Sequence, residues 1–135
     1  MSPRILLVDH HEVVRQGIAT LLATRWNVCG QASDGLEAVS KTAELKPDLV
    51  ILDLSMPVMS GTAAARQIRS MMPSTRIMFL SMHDSETVAE LTRLSGADAC
   101  VSKRCSAAEL HRAVAAVLNP QEKDKEDGRR QNQRC

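Results

Sequence analysis

The sequence contains almost no aromatic residues: among its 135 residues, Trp26 and Phe79 are the only two from Phe, Trp and Tyr. Its core must therefore be built from Leu, Ile, Val, Met and Ala. This composition favours parallel strands covered by helices and argues against a base-stacking platform for nucleic acid. The net charge of +1 gives no field that would attract DNA or an anionic membrane.

Several motifs are missing as well. The four cysteines lack the CxxC spacing of a zinc or redox site. Neither GxGxxG nor GxSxG occurs, which argues against a dinucleotide-binding domain and against a hydrolase with a nucleophile elbow. The longest apolar runs reach about a third of the roughly 20 residues of a transmembrane helix. The chain also leads directly into an apolar strand without a signal-peptide pattern. We therefore expect a cytoplasmic protein that does not bind a membrane.

Short apolar runs alternate with helical patterns along the chain. The 44% apolar share is enough for a core, and the 24% charged share is ordinary for a soluble protein. Five runs predict strands that alternate with five helices, which is typical of an α/β fold with a parallel sheet and helices on both faces. The predicted strands cover residues 4–8, 26–32, 49–53, 76–80 and 97–102.

The chain divides into two parts by composition. Residues 3–118 carry the apolar patterns and are predicted to form one domain. Residues 119–135 contain almost no apolar side chain, and we interpret them as a flexible polar tail or a truncated linker.

Polar residues follow four of the predicted strands. Asp9, Asp53, Ser81 and Lys103 stand where the first, third, fourth and fifth strands end. Because the carboxyl ends of parallel strands share one edge of the sheet, two carboxylates, a hydroxyl and an ammonium group should converge in one crevice. This convergence is the main functional prediction from the residues alone.

The same segments resemble the receiver domain of bacterial two-component response regulators, over residues 3 to about 118. The run from Leu80 to Asp84, and the absence of proline after Lys103, resemble the NarL/FixJ (LuxR-type) subfamily. The resemblance is carried by Ile5 to Asp9, Leu49 to Asp53 followed by Met56-Pro57 and Gly61, Leu80 to Asp84, Gly96-Ala97, and Val101 to Lys103.

The resemblance implies a flavodoxin-like (CheY-like), doubly wound sheet with strand order 2-1-3-4-5. It implies that Asp53 accepts a phosphoryl group from a phosphohistidine on a sensor histidine kinase. Lys103 would supply positive charge, and Mg²⁺ would be held by Asp9, Asp53 and the backbone carbonyl of Ser55. The domain would not be an enzyme, apart from hydrolysis of its own acyl phosphate.

The resemblance also implies an output. Ser81 would hydrogen-bond the bound phosphoryl group and shift a surface formed by the fourth helix, fifth strand and fifth helix. Cys100 belongs to this switch, at a position where the family often has an aromatic residue. The subfamily usually controls transcription through a C-terminal helix-turn-helix domain, the only route by which DNA would be a partner. A homodimer is compatible with this arrangement, but the sequence does not decide it.

One residue departs from the family pattern in the metal site. His10 stands where a second acidic residue is usual, and imidazole suits Zn, Cu or Ni better than the hard ion Mg²⁺. We therefore expect weaker Mg²⁺ binding than in a two-acid receiver. A sharper hypothesis is that Asp9, His10, Asp53 and His83 hold a softer metal. His11 and His111 are predicted to be exposed helix residues.

Two other functions stay open at this point. The first is an atypical or stand-alone receiver that acts as a protein-interaction module because His10 impairs or alters phosphorylation. The second is a small flavodoxin-like binding or hydrolase domain, which would need a phosphate loop or nucleophile elbow that the sequence lacks.

Overall fold

The computed structural model describes residues 3–82, 90 and 92–119. These ranges contain five strands, β1 to β5, and four helices, α1 to α4. The strands are Arg4–Val8, Asn27–Ala32, Leu49–Asp53, Arg76–Ser81 and Ala99–Ser102, and the helices are Glu12–Ala23, Gly35–Leu45, Gly61–Met71 and Ala107–Leu118. A further helix was predicted around Val88, Leu91 and Leu94. Most of it lies outside the described residues, although residues 92–94 are helical.

All strand pairs are parallel, and the sheet order is β2-β1-β3-β4-β5. The predicted flavodoxin-like topology is therefore confirmed. β2, whose composition is the most polar of the five strands, forms one edge of the sheet. A bulge interrupts its register with β1 between Ile5 and Leu6. Among the described residues, no helix combines the length and apolarity needed to cross a membrane.

Alternate residues of each central strand enter two separate cores, as the side-chain period of two requires. On one face, Leu6, Val50 and Phe79 pack with residues of α2 and α3. On the other face, Ile5, Ile51 and Met78 pack with residues of α1 and α4. All five residues of β3 are buried, which fits a strand covered on both faces.

Helix α2 buries a different face from the one that its large apolar residues indicate, and α1 buries Leu22 as its apolar spacing predicts but exposes an earlier apolar residue. In α2 the buried residues include Ala38 and Thr42, whereas Leu36 is 57% exposed. The Thr42 hydroxyl donates to the carbonyl of Ala38, so this small polar residue is satisfied close to the sheet. In α1, Val14 is likewise 41% exposed.

The end of α1 meets α4 at Trp26. Its ring lies edge-on to that of His111 on α4, with the ring centroids 5.5 Å apart. His111 Nε2 also donates to the carbonyl of Leu21 at 3.0 Å. This contact ties the end of α1 to α4.

Candidate functional site

The crevice forms because neighbouring strands send their following loops to opposite faces of the sheet. β1 leads to α1 on one face, and β3 leads to α3 on the other. The order β2-β1-β3 therefore has its topological switch between β1 and β3. The first residue after β1, Asp9, and the last residue of β3, Asp53, lie at this switch.

Asp9, Asp53 and Lys103 form the centre of the site. Lys103 Nζ lies 2.9 Å from Asp9 Oδ2 and 3.1 Å from Asp53 Oδ2. All three side chains are at most 5% exposed. One buried ammonium group thus faces two buried carboxylates, and the three groups together carry an excess of negative charge.

This environment raises the pKa of Asp53 above its ordinary value. Burial disfavours the ionised carboxylate most strongly, and the nearby charge of Asp9 acts in the same direction. Lys103 and the backbone amide of Ser55 oppose the shift. The raised pKa makes this carboxylate more basic than an exposed one, and its ionised form depends on nearby positive charge.

The loop after β3 holds Asp53 through close backbone contacts. The Leu54 amide donates to the Leu80 carbonyl, and the Gly61 amide donates back to the Leu54 carbonyl. A Cβ at Gly61 would lie 2.4 Å from the carbonyl oxygen of Asp53, so only glycine fits there. The Ser55 amide donates to Asp53 Oδ1 at 3.2 Å.

The same loop contains a strained residue. Val58 has a φ of +69°, which a β-branched residue rarely adopts, and its side chain is 77% exposed. The Met59 amide donates to the Pro57 carbonyl at 2.7 Å, which closes a γ-turn at Val58. The loop also presses on the start of α2, where a Cβ at Gly35 would lie 2.3 Å from the Met59 carbonyl oxygen.

Ser81 lies at the end of β4 and is 4% exposed. Its carbonyl accepts from the Lys103 amide at 2.8 Å, which fixes the lysine beside it. Asp53 pairs with Leu80 in the sheet register, so Ser81 lies one residue beyond Asp53 at the same edge. The four residues predicted at the strand ends are thus brought to one edge of the sheet.

Cys100 lies elsewhere. It is a residue of β5, 5% exposed, paired in register with Phe79 and packed in the core on the side of α2 and α3.

Two histidines complete the site. His10 Nδ1 lies 3.3 Å from Asp53 Oδ2, and His11 Nδ1 lies 3.5 Å from Asp9 Oδ1. His11 precedes α1 as its N-cap residue, so its prediction as a helix residue was wrong, although its side chain is 58% exposed as expected. Its backbone amide donates to Asp9 Oδ1 at 2.9 Å. His83, which the sequence hypothesis included, lies outside the described residues.

Sequence reasoning missed two residues of the site. One is His11; the adjacent pair His10-His11 directly after a strand-end aspartate was the signal. The other is Arg15, whose Nη1 donates to the Asp9 carbonyl and whose Nε donates to Gln31 Oε1. Arg15 ties the loop after β1 to β2, but an arginine one turn into a helix carries no distinctive pattern.

Asp9, His10, His11 and Asp53, here called the His–Asp cluster, could hold a metal ion. One ligand atom from each residue can be chosen so that all lie within 4.8 Å of one another. Asp9 Oδ2 is buried and has no hydrogen-bond partner of suitable geometry among the described residues, although Lys103 Nζ is close. Two buried carboxylates that share one ammonium group fit a further cation as a partner.

Comparison with known proteins identifies the family. The family model for the response regulator receiver domain matches residues 5–115. The chain belongs to this family. Response regulator protein VraR of Staphylococcus aureus is 37% identical over 118 residues, covering 84% of this chain and 56% of the relative. The chain thus spans just over half the length of this curated relative.

Solved structures of receiver domains are similar throughout the described fold. A LuxR-family response regulator from Aurantimonas has a TM-score of 0.85 and 35% identity, covering 89% of this chain and 87% of that chain. The signal receiver domain of the response regulator NarL from Mycobacterium tuberculosis has a TM-score of 0.82 and 29% identity, covering 87% and 96%. The predicted family and its NarL/FixJ (LuxR-type) subfamily are confirmed.

Proposed function

We propose that this receiver domain accepts a phosphoryl group on Asp53 from the phosphohistidine of a sensor histidine kinase. The observation that carries the proposal is the placement of the Asp53 carboxylate at the sheet rim, 3.1 Å from Lys103 Nζ and beside Asp9. Receiver domains are signalling domains, and hydrolysis of its own acyl phosphate is the only catalysis that we assign to this one.

The transfer forms one bond and breaks another. A carboxylate oxygen of Asp53 attacks phosphorus as the phosphorus–nitrogen bond of the donor breaks, and the departing imidazole takes up a proton. An anionic nucleophile and an anionic phosphoryl group repel each other, so positive charge and positioning decide the rate. Lys103 supplies a fixed positive charge beside the attacking carboxylate oxygen and the phosphoryl oxygens. Because the pKa of Asp53 is raised, its ionised carboxylate is more basic and therefore a stronger nucleophile.

We propose that Asp9, Asp53 and the backbone carbonyl of Ser55 hold Mg²⁺ during this transfer. When bound, the ion supplies further positive charge against the phosphoryl oxygens. The carboxylate oxygens of Asp9 and Asp53 are of the ligand type that a hard cation prefers. His10 adds no oxygen ligand, so we expect weaker Mg²⁺ binding than a receiver with two adjacent acids would have.

The output follows from the added charge of about −1.5 to −2. In our proposal the Ser81 hydroxyl bonds a phosphoryl oxygen and draws the loop after β4 inward. Because Ser81 and Lys103 are joined by a backbone hydrogen bond, the change reaches β5 and α4. Residues 3–118 would form the receiver and residues 119–135 a linker or tail. The surface changed by the movement of β5 and α4 would control a C-terminal DNA-binding domain in a cytoplasmic transcription regulator.

Acetyl phosphate with Mg²⁺ tests the proposal, followed by intact mass spectrometry. The wild type should gain the mass of one phosphoryl group, and Asp53→Asn should gain none. Asp48→Asn is the matched control, because Asp48 lies at the opposite end of the same strand and binds the Arg4 amide; it should react like the wild type.

Modification of Asp53→Asn at the wild-type rate would overturn the assignment of the acceptor. A wild-type protein that is never modified, with either acetyl phosphate or beryllofluoride, would favour the interaction-module function instead.

A further inference from the structure

The His–Asp cluster contains two imidazoles that the proposed phosphoryl transfer does not use. The rings of His10 and His11 lie together, with centroids 3.9 Å apart and planes inclined by 40°. Each Nδ1 faces a different carboxylate, His10 that of Asp53 and His11 that of Asp9. Two nitrogen donors and two oxygen donors, one from each residue, therefore lie within 4.8 Å of one another.

This donor set suits borderline transition ions rather than hard ions. Imidazole and carboxylate together are common ligands of Zn²⁺, whereas Mg²⁺ prefers oxygen alone and keeps several waters. Zinc bonds to nitrogen and oxygen of about 2.0 to 2.2 Å place tetrahedral ligands about 3.4 Å apart. The His10–Asp53 and His11–Asp9 nitrogen–oxygen separations of 3.3 and 3.5 Å have about this length, and ligand atoms of all four residues lie within 4.8 Å of one another.

Burial and charge support the same site. The carboxylates are buried, whereas the side chains of His10 and His11 are 32% and 58% exposed, so the cluster is open to solvent on the side of the imidazoles. Asp9 Oδ1 faces His11, whereas the buried Asp9 Oδ2 lies 2.9 Å from Lys103 Nζ and has no hydrogen bond of suitable geometry among the described residues. Lys103 offsets only one of the two buried negative charges, and a divalent cation would offset the other.

We infer that Asp9, His10, His11 and Asp53 form a binding site for a borderline divalent transition ion such as Zn²⁺, and that this site prefers such an ion to Mg²⁺. The inference deepens the proposed function, since it assigns the metal class at the same crevice, but it stands on the cluster's geometry. Metal binding can be measured without a phosphoryl donor, so its failure and the failure of the phosphorylation proposal are distinguishable.

The test is calorimetric titration of Zn²⁺ into the metal-free full chain under reducing conditions. We expect one equivalent to bind to the wild type, and affinity to fall at least tenfold in the double variant His10→Asn with His11→Asn. Both histidines are partly exposed, so these substitutions should leave the fold intact. His111→Asn, which removes an imidazole remote from the crevice, should bind Zn²⁺ like the wild type.

Two further measurements separate this site from alternatives. His10→Asp should lower the ratio of Zn²⁺ to Mg²⁺ affinity at least tenfold, because it exchanges a nitrogen donor for an oxygen donor. Co²⁺ should give visible absorption of nitrogen and oxygen coordination in the wild type and lose it in the double histidine variant. Unchanged Zn²⁺ affinity in the double variant, no Zn²⁺ binding by the wild type, or a thiolate-to-cobalt band would each overturn the inference.

Discussion

Charged side chains are paired differently at the two ends of the parallel strands, here called the amino edge and the carboxyl edge of the sheet. At the amino edge, where the strands begin, Asp98 Oδ2 accepts from the Ile77 amide and pairs with Arg69. Arg69 also donates to the carbonyls of Pro73, Thr75 and Gly96. These charged groups are part exposed and well supplied with partners.

At the carboxyl edge the charges are buried and poorly matched. Asp9 and Asp53 share the single ammonium group of Lys103, Asp9 Oδ2 lacks a hydrogen bond of suitable geometry within the described part of the chain, and the pKa of Asp53 is raised. The adjoining loop holds Val58 at a positive φ. Stability alone explains the amino edge, whereas the carboxyl edge retains unfavourable features that a phosphoryl acceptor and cation site would use.

The largest expected effect comes from removing the shared cation. Lys103→Ala leaves two buried carboxylates without compensation, and we expect the free energy of unfolding to fall by about 3 kcal/mol in EDTA. Urea denaturation followed by far-UV circular dichroism measures it. Adding Asp53→Asn to this variant should restore part of the loss. Arg104→Ala, an exposed neighbour, serves as control, and an equal loss there would contradict the interpretation.

At the amino edge, Arg69→Ala should cost about 2 kcal/mol, because several carbonyls and Asp98 lose a charged donor. Its phosphorylation by acetyl phosphate, measured on folded protein, should stay at the wild-type rate. Arg66→Ala, exposed on the same helix, should change neither quantity. A slower phosphorylation of Arg69→Ala would break the division between the two edges.

Restoring an acidic residue at position 10 should strengthen Mg²⁺ binding at the carboxyl edge. We expect His10→Asp to lower the Mg²⁺ concentration for half-maximal phosphorylation by about tenfold, roughly 1.4 kcal/mol, since a carboxylate replaces an imidazole near a hard ion. A Mg²⁺ titration with acetyl phosphate measures the midpoints, with His111→Asn as control. Equal midpoints for His10→Asp and wild type would show that His10 does not limit Mg²⁺ binding.

The smallest effect concerns backbone strain. Val58→Gly should raise the free energy of unfolding by about 1 kcal/mol, because glycine adopts a positive φ without steric cost. Val58→Ala keeps a Cβ and should gain little. Thermal and urea unfolding of both variants check this, and a gain in the alanine variant equal to that in glycine would locate the effect in the exposed side chain instead.

Much of the fold could be predicted because strand identity here depends on local composition. Runs of branched residues marked β1, β3 and β4 to within one residue of their observed ends. Helix faces were harder, since α2 packs Ala38 and Thr42 against the sheet and leaves the larger Leu36 outside. The close approach of α2 to the sheet requires small side chains on the buried face. A pattern based on apolar residues does not detect this requirement.

The site was predictable where topology alone brings residues together. Asp9, Asp53, Ser81 and Lys103 converge because parallel strands end at one edge. The partners of the carboxylates depend on side-chain directions in loops. This is why the sequence assigned His11 to an exposed helix surface and gave no signal for Arg15. The strain at Val58 also depends on how the loop meets α2, which no local pattern encodes.

The contact of Trp26 with His111 gives this protein a native optical probe. Trp26 is the only tryptophan, so its emission is unambiguous, and it senses the junction of α1 and α4 instead of the crevice. A shift in its emission on adding beryllofluoride would reveal movement transmitted some distance from Asp53. Constant emission would confine the response to parts of the molecule away from that junction.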